Sequence, residues 1–283
     1  MEFALEIQGL TKKYEGFTLD DISLTLPGGC IMGFIGENGA GKSTTIKLIL
    51  DLIAKDQGSI TVLGQERGVH SNKLLKENIG VVLDESYFPE ALNANQINLI
   101  MKNIYSTWDA AAYKNWMKRF ELPEKKPFKA YSRGMKMKLA IAVALSHDSK
   151  LLILDEATSG LDPIIREEIL DVFQEFIQDE THSVFMSSHI ISDLEKICDY
   201  ITFIHKGKMI FSEPKDELLE QFVLVKCSEA DIASIPKASV HGIRKNSFGV
   251  EALVKRNSVP PQLVMDRVNI EDIMLYHIKE FKI

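Results

Sequence analysis

The sequence predicts an α/β layer fold. Short apolar runs, CIMGFIG with a strand over 30–35, LLILD at 151–155 and VFMSS at 184–188, alternate with segments of helical spacing. Such short, fully apolar strands interleaved with helices belong to a parallel sheet covered on both faces. A glycine-rich loop follows the first run, and an acidic pair closes the second. After about residue 220 the texture changes to short strands with turns and a closing amphipathic helix, which predicts a small α+β appendage.

The elements can be read in order. Residues 3–8 alternate as a strand does, as do 18–26 (TLDDISLTL), and Pro27-Gly28-Gly29 is a turn signal. Residues 43–54 carry apolar side chains at helical spacing, followed by strand candidates at 58–63 and 79–83. A helical stretch covers 94–121, with breaks near 93–95 and at 109. Pro123 and Pro127 then bracket a loop, and a helix rich in Met, Lys, Leu and Ala runs from 134 to 147. Pro163 suits the first turn of the next helix. Residues 199–212 form a strand pair turning at Lys206-Gly207. Beyond it, FVLVKCS and SVHGIRKNSFGVEALVKR supply strands, and NIEDIMLYHIKEF supplies a helix. The reading gives a main domain over 1–220, with a helical subdomain at about 86–148, and an extension over 221–283.

Composition narrows the classes. The chain has 283 residues, 26% charged and 45% hydrophobic, which is an ordinary globular mix with room for a sizeable core. A net charge of −7 gives no electrostatic reason to expect nucleic acid or anionic lipid as a partner. Cys30, Cys198 and Cys227 are odd in number, far apart and without a CxxC pair, so neither a disulfide framework nor a zinc site is expected. The start, MEFALEIQGL, lacks a basic segment followed by an apolar one, so it does not read as a secretory signal. No stretch approaches the roughly 18 apolar residues of a spanning helix. A membrane role would need a partner that supplies the membrane part.

The strongest local signal is Gly36-Glu37-Asn38-Gly39-Ala40-Gly41-Lys42-Ser43, followed by Thr44. It fits G-x-x-x-x-G-K-[ST] and lies after an apolar strand and before a helix. Glycines let the backbone curl so that successive N–H groups face phosphate oxygens, and the helix presents its positive end. Lys42 is suited to the β- and γ-phosphates and Ser43 to Mg²⁺, so the cofactors expected are ATP and Mg²⁺. Asp155, at the end of LLILD, would hold the metal through water. Glu156 would polarise the attacking water.

These two motifs are common to kinases, GTPases, helicases and ABC ATPases; further residues separate them. Tyr131-Ser132-Arg133-Gly134-Met135 resembles the ABC signature, usually L-S-G-G-Q. Ser159-Gly160-Leu161-Asp162 resembles the D-loop, and Ser187-Ser188-His189 resembles the switch-histidine loop. Tyr14 sits where the family has an adenine-stacking aromatic. The matches run in the family's order over residues 3–220. The resemblance implies a P-loop ABC-type ATPase core with a mixed sheet and a helical signature subdomain. It also implies two nucleotide-binding subunits meeting head to tail, with Ser132 and Gly134 touching the γ-phosphate of the partner's ATP and His189 contacting it in cis.

Two departures stand out. Arg133 replaces the signature's first glycine, where it either brings a positive charge to the phosphate or faces solvent, the second being preferred. Asp84, in IGVVLDE, falls where the family carries the Q-loop glutamine; Asp84 or Glu85 is expected to serve the metal or its water shell. With YSRGM and the tail NIEDIMLYHIKE, the chain is similar to ATPases of ABC-2 type, bacitracin-efflux-like exporters. That resemblance implies a separate transmembrane permease partner, a place on the cytoplasmic face of the membrane and export. Because one chain carries a complete residue set, a homodimer is favoured. The rivals are a soluble ABC ATPase without a transport role and a nucleotide-gated interaction module. No guanine-reading N/T-K-x-D follows a strand, which argues against a GTPase.

Overall fold

The computed structural model describes residues 2–67, 73–84, 88–246 and 249–278, which form two compact units, Met1–Met209 and Ile210–Ile283. The division falls earlier in the chain than the change of texture near residue 220.

The first unit holds one sheet whole and a second whole except for most of its edge strand, residues 208–214. Strands β1 (Phe3–Tyr14) and β2 (Phe17–Pro27) form a hairpin, and β3 (Ile31–Ile35) leads into helix α1 (Lys42–Ile49). Strands β4 (Gln57–Val62) and β5 (Gln65–Glu66) complete an antiparallel sheet of order β2-β1-β4-β5. Helix α2 (Lys73–Glu77) precedes β6 (Ile79–Val82). Three helices follow: α3 (Ala94–Ile104), α4 (Ala110–Arg119) and α5 (Arg133–Ala144). After them the chain alternates β7 (Leu151–Asp155), α6 (Pro163–Phe176), β8 (Ser183–Ser188), α7 (Ile191–Ile197), β9 (Tyr200–His205) and β10 (Lys208–Pro214).

The second sheet has the order β10-β9-β3-β8-β7-β6, with β3 parallel to both β8 and β9, and β7 parallel to both β6 and β8. Every residue of β3, β7 and β8 is buried. This explains why these strands read as unbroken apolar runs instead of alternating ones. The core that holds them contains Phe34, Phe185, Leu151, Ile153, Ile46 and Ile60.

Most element boundaries agree with the sequence reading, and the differences have local causes. Helix α1 ends at Ile49 and not at 54, because Asp51 turns left-handed at φ 59° and the chain leaves helical geometry. The break expected at 109 is present: α4 starts with Asp109 as its cap, the carboxylate accepting from the N–H groups of Ala111 and Ala112. The Lys206-Gly207 turn has φ 46° and 78°, the left-handed pair a two-residue hairpin requires.

The second unit contains α8 (Lys215–Gln221), β11 (Phe222–Cys227), α9 (Glu229–Ala233), β12 (Val240–Asn246), β13 (Gly249–Lys255), β14 (Met265–Asp266) and α10 (Ile270–Ile278). Its sheet is antiparallel, of order β12-β13-β11-β14, over a core of Val223, Val225, Ile235, Ala252 and Val254. Helix α10 buries Ile270, Ile273, Met274 and Tyr276, one face of an amphipathic helix. The last residues of the expected helix lie outside the described residues.

His241 packs edge-on against Phe222 at 4.8 Å and beside His277 at 5.0 Å, with its Nε2 buried and unpartnered among the described residues. Burial, reinforced by the neighbouring His277 and Lys255, pushes its pKa down to about 4. The unfolded chain takes up that proton near 6.5, so it binds more protons than the folded chain between the two values. The stability of this unit is therefore intact above about 6.5 and falls as pH drops from there toward 4. Denaturant unfolding at several pH values should show this decline, and His241→Phe should flatten it. An unchanged pH profile in that variant would exclude His241 as its cause.

Candidate functional site

Strand order assembles the site. Because β8 lies between β3 and β7, the loops leaving the carboxyl ends of these three strands are neighbours. The register aligns those ends: Ile35 pairs with Ser188, and Asp155 with Ser187. The next residues are Gly36 from β3, His189 from β8 and Glu156 from β7. The crevice beyond the carboxyl ends of parallel strands is where α/β sheets bind ligands.

That crevice is a cleft of about 610 Å³. It is walled by the loop residues Glu37, Asn38, Gly39 and Gly41, by Lys42, Ser43 and Thr44 of α1, and by Asp84, Glu156, Ser159 and His189. Gly41 caps α1 at φ 117°, and no side chain caps the helix. The first N–H groups of α1 therefore keep their donor capacity for an anion. A side chain at Gly41 would be strained and would meet Leu19 at 2.9 Å. Gly36 and Ala40 shape the loop from behind; a Cβ on Gly36 would lie 2.6 Å from the carbonyl of Ile204.

Lys42 is buried and curls back under the loop. Its ammonium donates to the carbonyls of Gly36 at 2.7 Å and Glu37 at 3.4 Å, and lies 3.5 Å from Glu156 Oε1. The other oxygen of Glu156 accepts from His189 Nδ1 at 2.6 Å. Lys42, Glu156 and His189, chosen from three separate motifs, thus converge on one carboxylate. Glu156 has φ 53°, a left-handed conformation that costs a non-glycine residue on the order of 1 kcal/mol. Its N–H is held by the carbonyl of Ser187 at 3.1 Å and the Ser187 hydroxyl at 3.2 Å. This tether turns the side chain back toward the loop.

Asp155 is buried at the strand end. Its carboxylate accepts from the Ser187 hydroxyl at 2.5 Å, and no ammonium or guanidinium pairs with it among the described residues. A buried carboxylate without a protein cation suits a hard divalent cation. No cluster of three or more His, Cys, Asp or Glu among the described residues could hold a metal by itself.

The remaining expected residues fall differently. Tyr14 is exposed and lies under Lys12 at 5.6 Å; the aromatic on the cleft wall is Phe17, its cross-strand partner in the β1–β2 hairpin. The signal for Phe17 was its place directly after the Tyr14-Glu15-Gly16 turn. Ser132 caps α5, its hydroxyl accepting from the N–H of Met135 at 3.2 Å. Gly134 is buried beneath Ile165, which a Cβ would approach to 2.7 Å. Neither residue lines the cleft of its own chain.

Arg133 is about half exposed to solvent, the preferred of the two expectations, and it is also partnered. It pairs with Asp84, Nη2 to Oδ1 at 2.8 Å, because the N-terminus of α5 lies beside the end of β6. Glu85 lies outside the described residues. The role of Ser187, which steadies both Asp155 and Glu156, was not foreseen.

Residues 19–159 match the ABC transporter family. The uncharacterized ABC transporter ATP-binding protein YhcH of Bacillus subtilis is 31% identical over 290 residues, spanning 99% of this chain and 92% of its own length. The bacitracin transport ATP-binding protein BcrA of Bacillus licheniformis is 34% identical over 221 residues, 77% of this chain and 72% of its own. Among solved structures, an ATP-binding subunit of an ABC transporter aligns with a TM-score of 0.70 and 25% identity, covering 77% of this chain and 92% of that one. Similarity of this extent, in a chain whose strand ends gather a phosphate loop and an acid, makes this protein a member of the ABC transporter ATP-binding family and an ATP hydrolase.

Proposed function

We propose that the cleft binds ATP with the loop 36–43 around its β- and γ-phosphates, and that Glu156 is the base for hydrolysis. One observation carries this reading. Lys42 and His189, which follow two other strands, both meet the carboxylate of Glu156, at 3.5 Å and 2.6 Å. Lys42 and the N–H groups of the loop and of α1 hold the phosphates. Phe17, and Tyr14 at the hairpin end, are the candidates to stack on adenine. Glu156 accepts a proton from the attacking water. The water oxygen bonds to the γ-phosphorus as the bond to the bridging oxygen breaks, and ADP and phosphate leave. His189 orients Glu156 and lies where the γ-phosphate would be.

Ser43 and Asp155 would hold Mg²⁺, with Asp84 as an outlying candidate. When bound, the ion neutralises phosphate charge and fixes the γ-phosphoryl group for in-line attack. Ser132 and Gly134, turned away from their own cleft, would complete the site of a second copy, and a homodimer is the simplest assembly.

No helix among the described residues is long and apolar enough to cross a membrane. We therefore infer a separate permease subunit, a peripheral place on the cytoplasmic face of the membrane and, by likeness to bacitracin and lantibiotic transport proteins, export. Closing on ATP and opening after hydrolysis would supply the two states that move the permease.

Glu156→Gln is expected to keep ATP affinity while turnover falls about 100-fold or more. Near-normal turnover would remove Glu156 as the base. Lys42→Ala should lose ATP binding itself, read by calorimetry. In light scattering, the Glu156→Gln chain should run as a monomer without nucleotide and as a dimer with Mg-ATP. A monomer under both conditions contradicts the paired site.

A further inference from the structure

Two of the positions at which the chain departs from the family pattern, Arg133 and Asp84, are each other's partner. Arg133 opens α5 and Asp84 follows β6, and they form an ion pair at 2.8 Å. The guanidinium also lies over Gly160 in the loop after β7: a Cβ there would come within 2.9–3.2 Å of its Nη1, Cζ and Nε atoms, at a glycine whose φ is +66°. One side chain thus bridges three segments. Two of them, through Asp84 and Ser159, line the cleft.

The charges of the cleft make that bridge consequential. Among the described residues its lining carries three carboxylates, Glu37, Asp84 and Glu156, and one lysine, Lys42, which already lies on Glu156. A triphosphate entering this cleft meets the field of Asp84. Carboxylate and phosphate repel each other unless a cation sits between or beside them. Arg133 is that cation, and it reaches Asp84 from the side without lining the cleft.

Resting on the reading of the cleft as an ATP site, we propose that Arg133 is a positioning residue that holds and neutralises Asp84, so that a nucleoside triphosphate can occupy the cleft of its own chain. The size of the effect follows from exposure. Both side chains are about half exposed, 53% and 50%, so water and salt screen the pair. The effect is modest, salt-dependent, and larger for ATP than for ADP because ATP carries more charge.

The test is calorimetric titration of ATP into the full chain in EDTA, where neither hydrolysis nor metal contributes. Arg133→Ala is expected to raise the dissociation constant about fivefold at low salt, and the gap should close by about 0.5 M salt. Arg133→Lys, which keeps the charge, should stay near wild type. Adding Asp84→Asn to Arg133→Ala should restore wild-type affinity, because the uncovered carboxylate is then gone. If Arg133→Ala binds ATP as the wild type does, the proposal is overturned. If the double variant stays as weak as Arg133→Ala, Arg133 acts on the nucleotide or on the fold directly, and the proposal is again overturned. A wild-type chain that gives no isotherm with ATP in EDTA or with Mg-ATP overturns the reading of the cleft itself, and the wild-type titrations alone distinguish that failure.

Discussion

The position of β8 between β3 and β7 is the constraint from which the site follows. A sheet in which the phosphate-loop strand paired directly with the acid-bearing strand would crowd the two loops and leave no place for His189. With β8 between them, three consecutive strand ends present a loop, a histidine and a carboxylate side by side. Ser187, on the central strand of the three, fastens the acids at the end of β7, since its hydroxyl and carbonyl hold Glu156 by the N–H and its hydroxyl also donates to Asp155. The left-handed backbone of Glu156 is sustained by those contacts.

Charge is arranged to be exchanged. Lys42 and Asp155 are both buried, and burial of a charge is tolerated only with compensation. Lys42 finds it in two carbonyls and the Glu156 carboxylate; Asp155, among the described residues, finds a hydroxyl. An incoming Mg-triphosphate offers each a better partner, an anion for the lysine and a cation for the aspartate. The same exchange would free Glu156 from Lys42 and leave its carboxylate with His189, ready to accept a proton.

Local features were legible in the sequence because local chemistry dictates them. A glycine loop between an apolar strand and a helix has one economical use, and LLILD followed by Glu156 has few. Pro163 at the start of α6 and the turn at Lys206-Gly207 were readable for the same reason. Hidden features were those set by pairing across long stretches of chain. Nothing in the sequence tells which strand lies between β3 and β7. Tyr14 drew attention as the aromatic before the loop, yet the hairpin register puts Phe17 on the cleft wall. Arg133 and Asp84 each read as an isolated oddity until the fold brought positions 49 residues apart within 2.8 Å. The early end of α1 was missed because residues 50–54 continue the apolar pattern while Asp51 breaks the backbone.

When a triphosphate binds, phosphate is expected to replace Glu156 as the partner of Lys42. A crystal structure of the chain with a non-hydrolysable ATP analogue and Mg²⁺ tests it most directly. The account predicts β- and γ-phosphate oxygens within about 3 Å of the Lys42 ammonium and of the loop N–H groups. It also predicts that the Glu156 carboxylate has left Lys42 and faces the γ-phosphate. An analogue seated elsewhere, or one bound while Lys42 keeps its contact with Glu156, would contradict it.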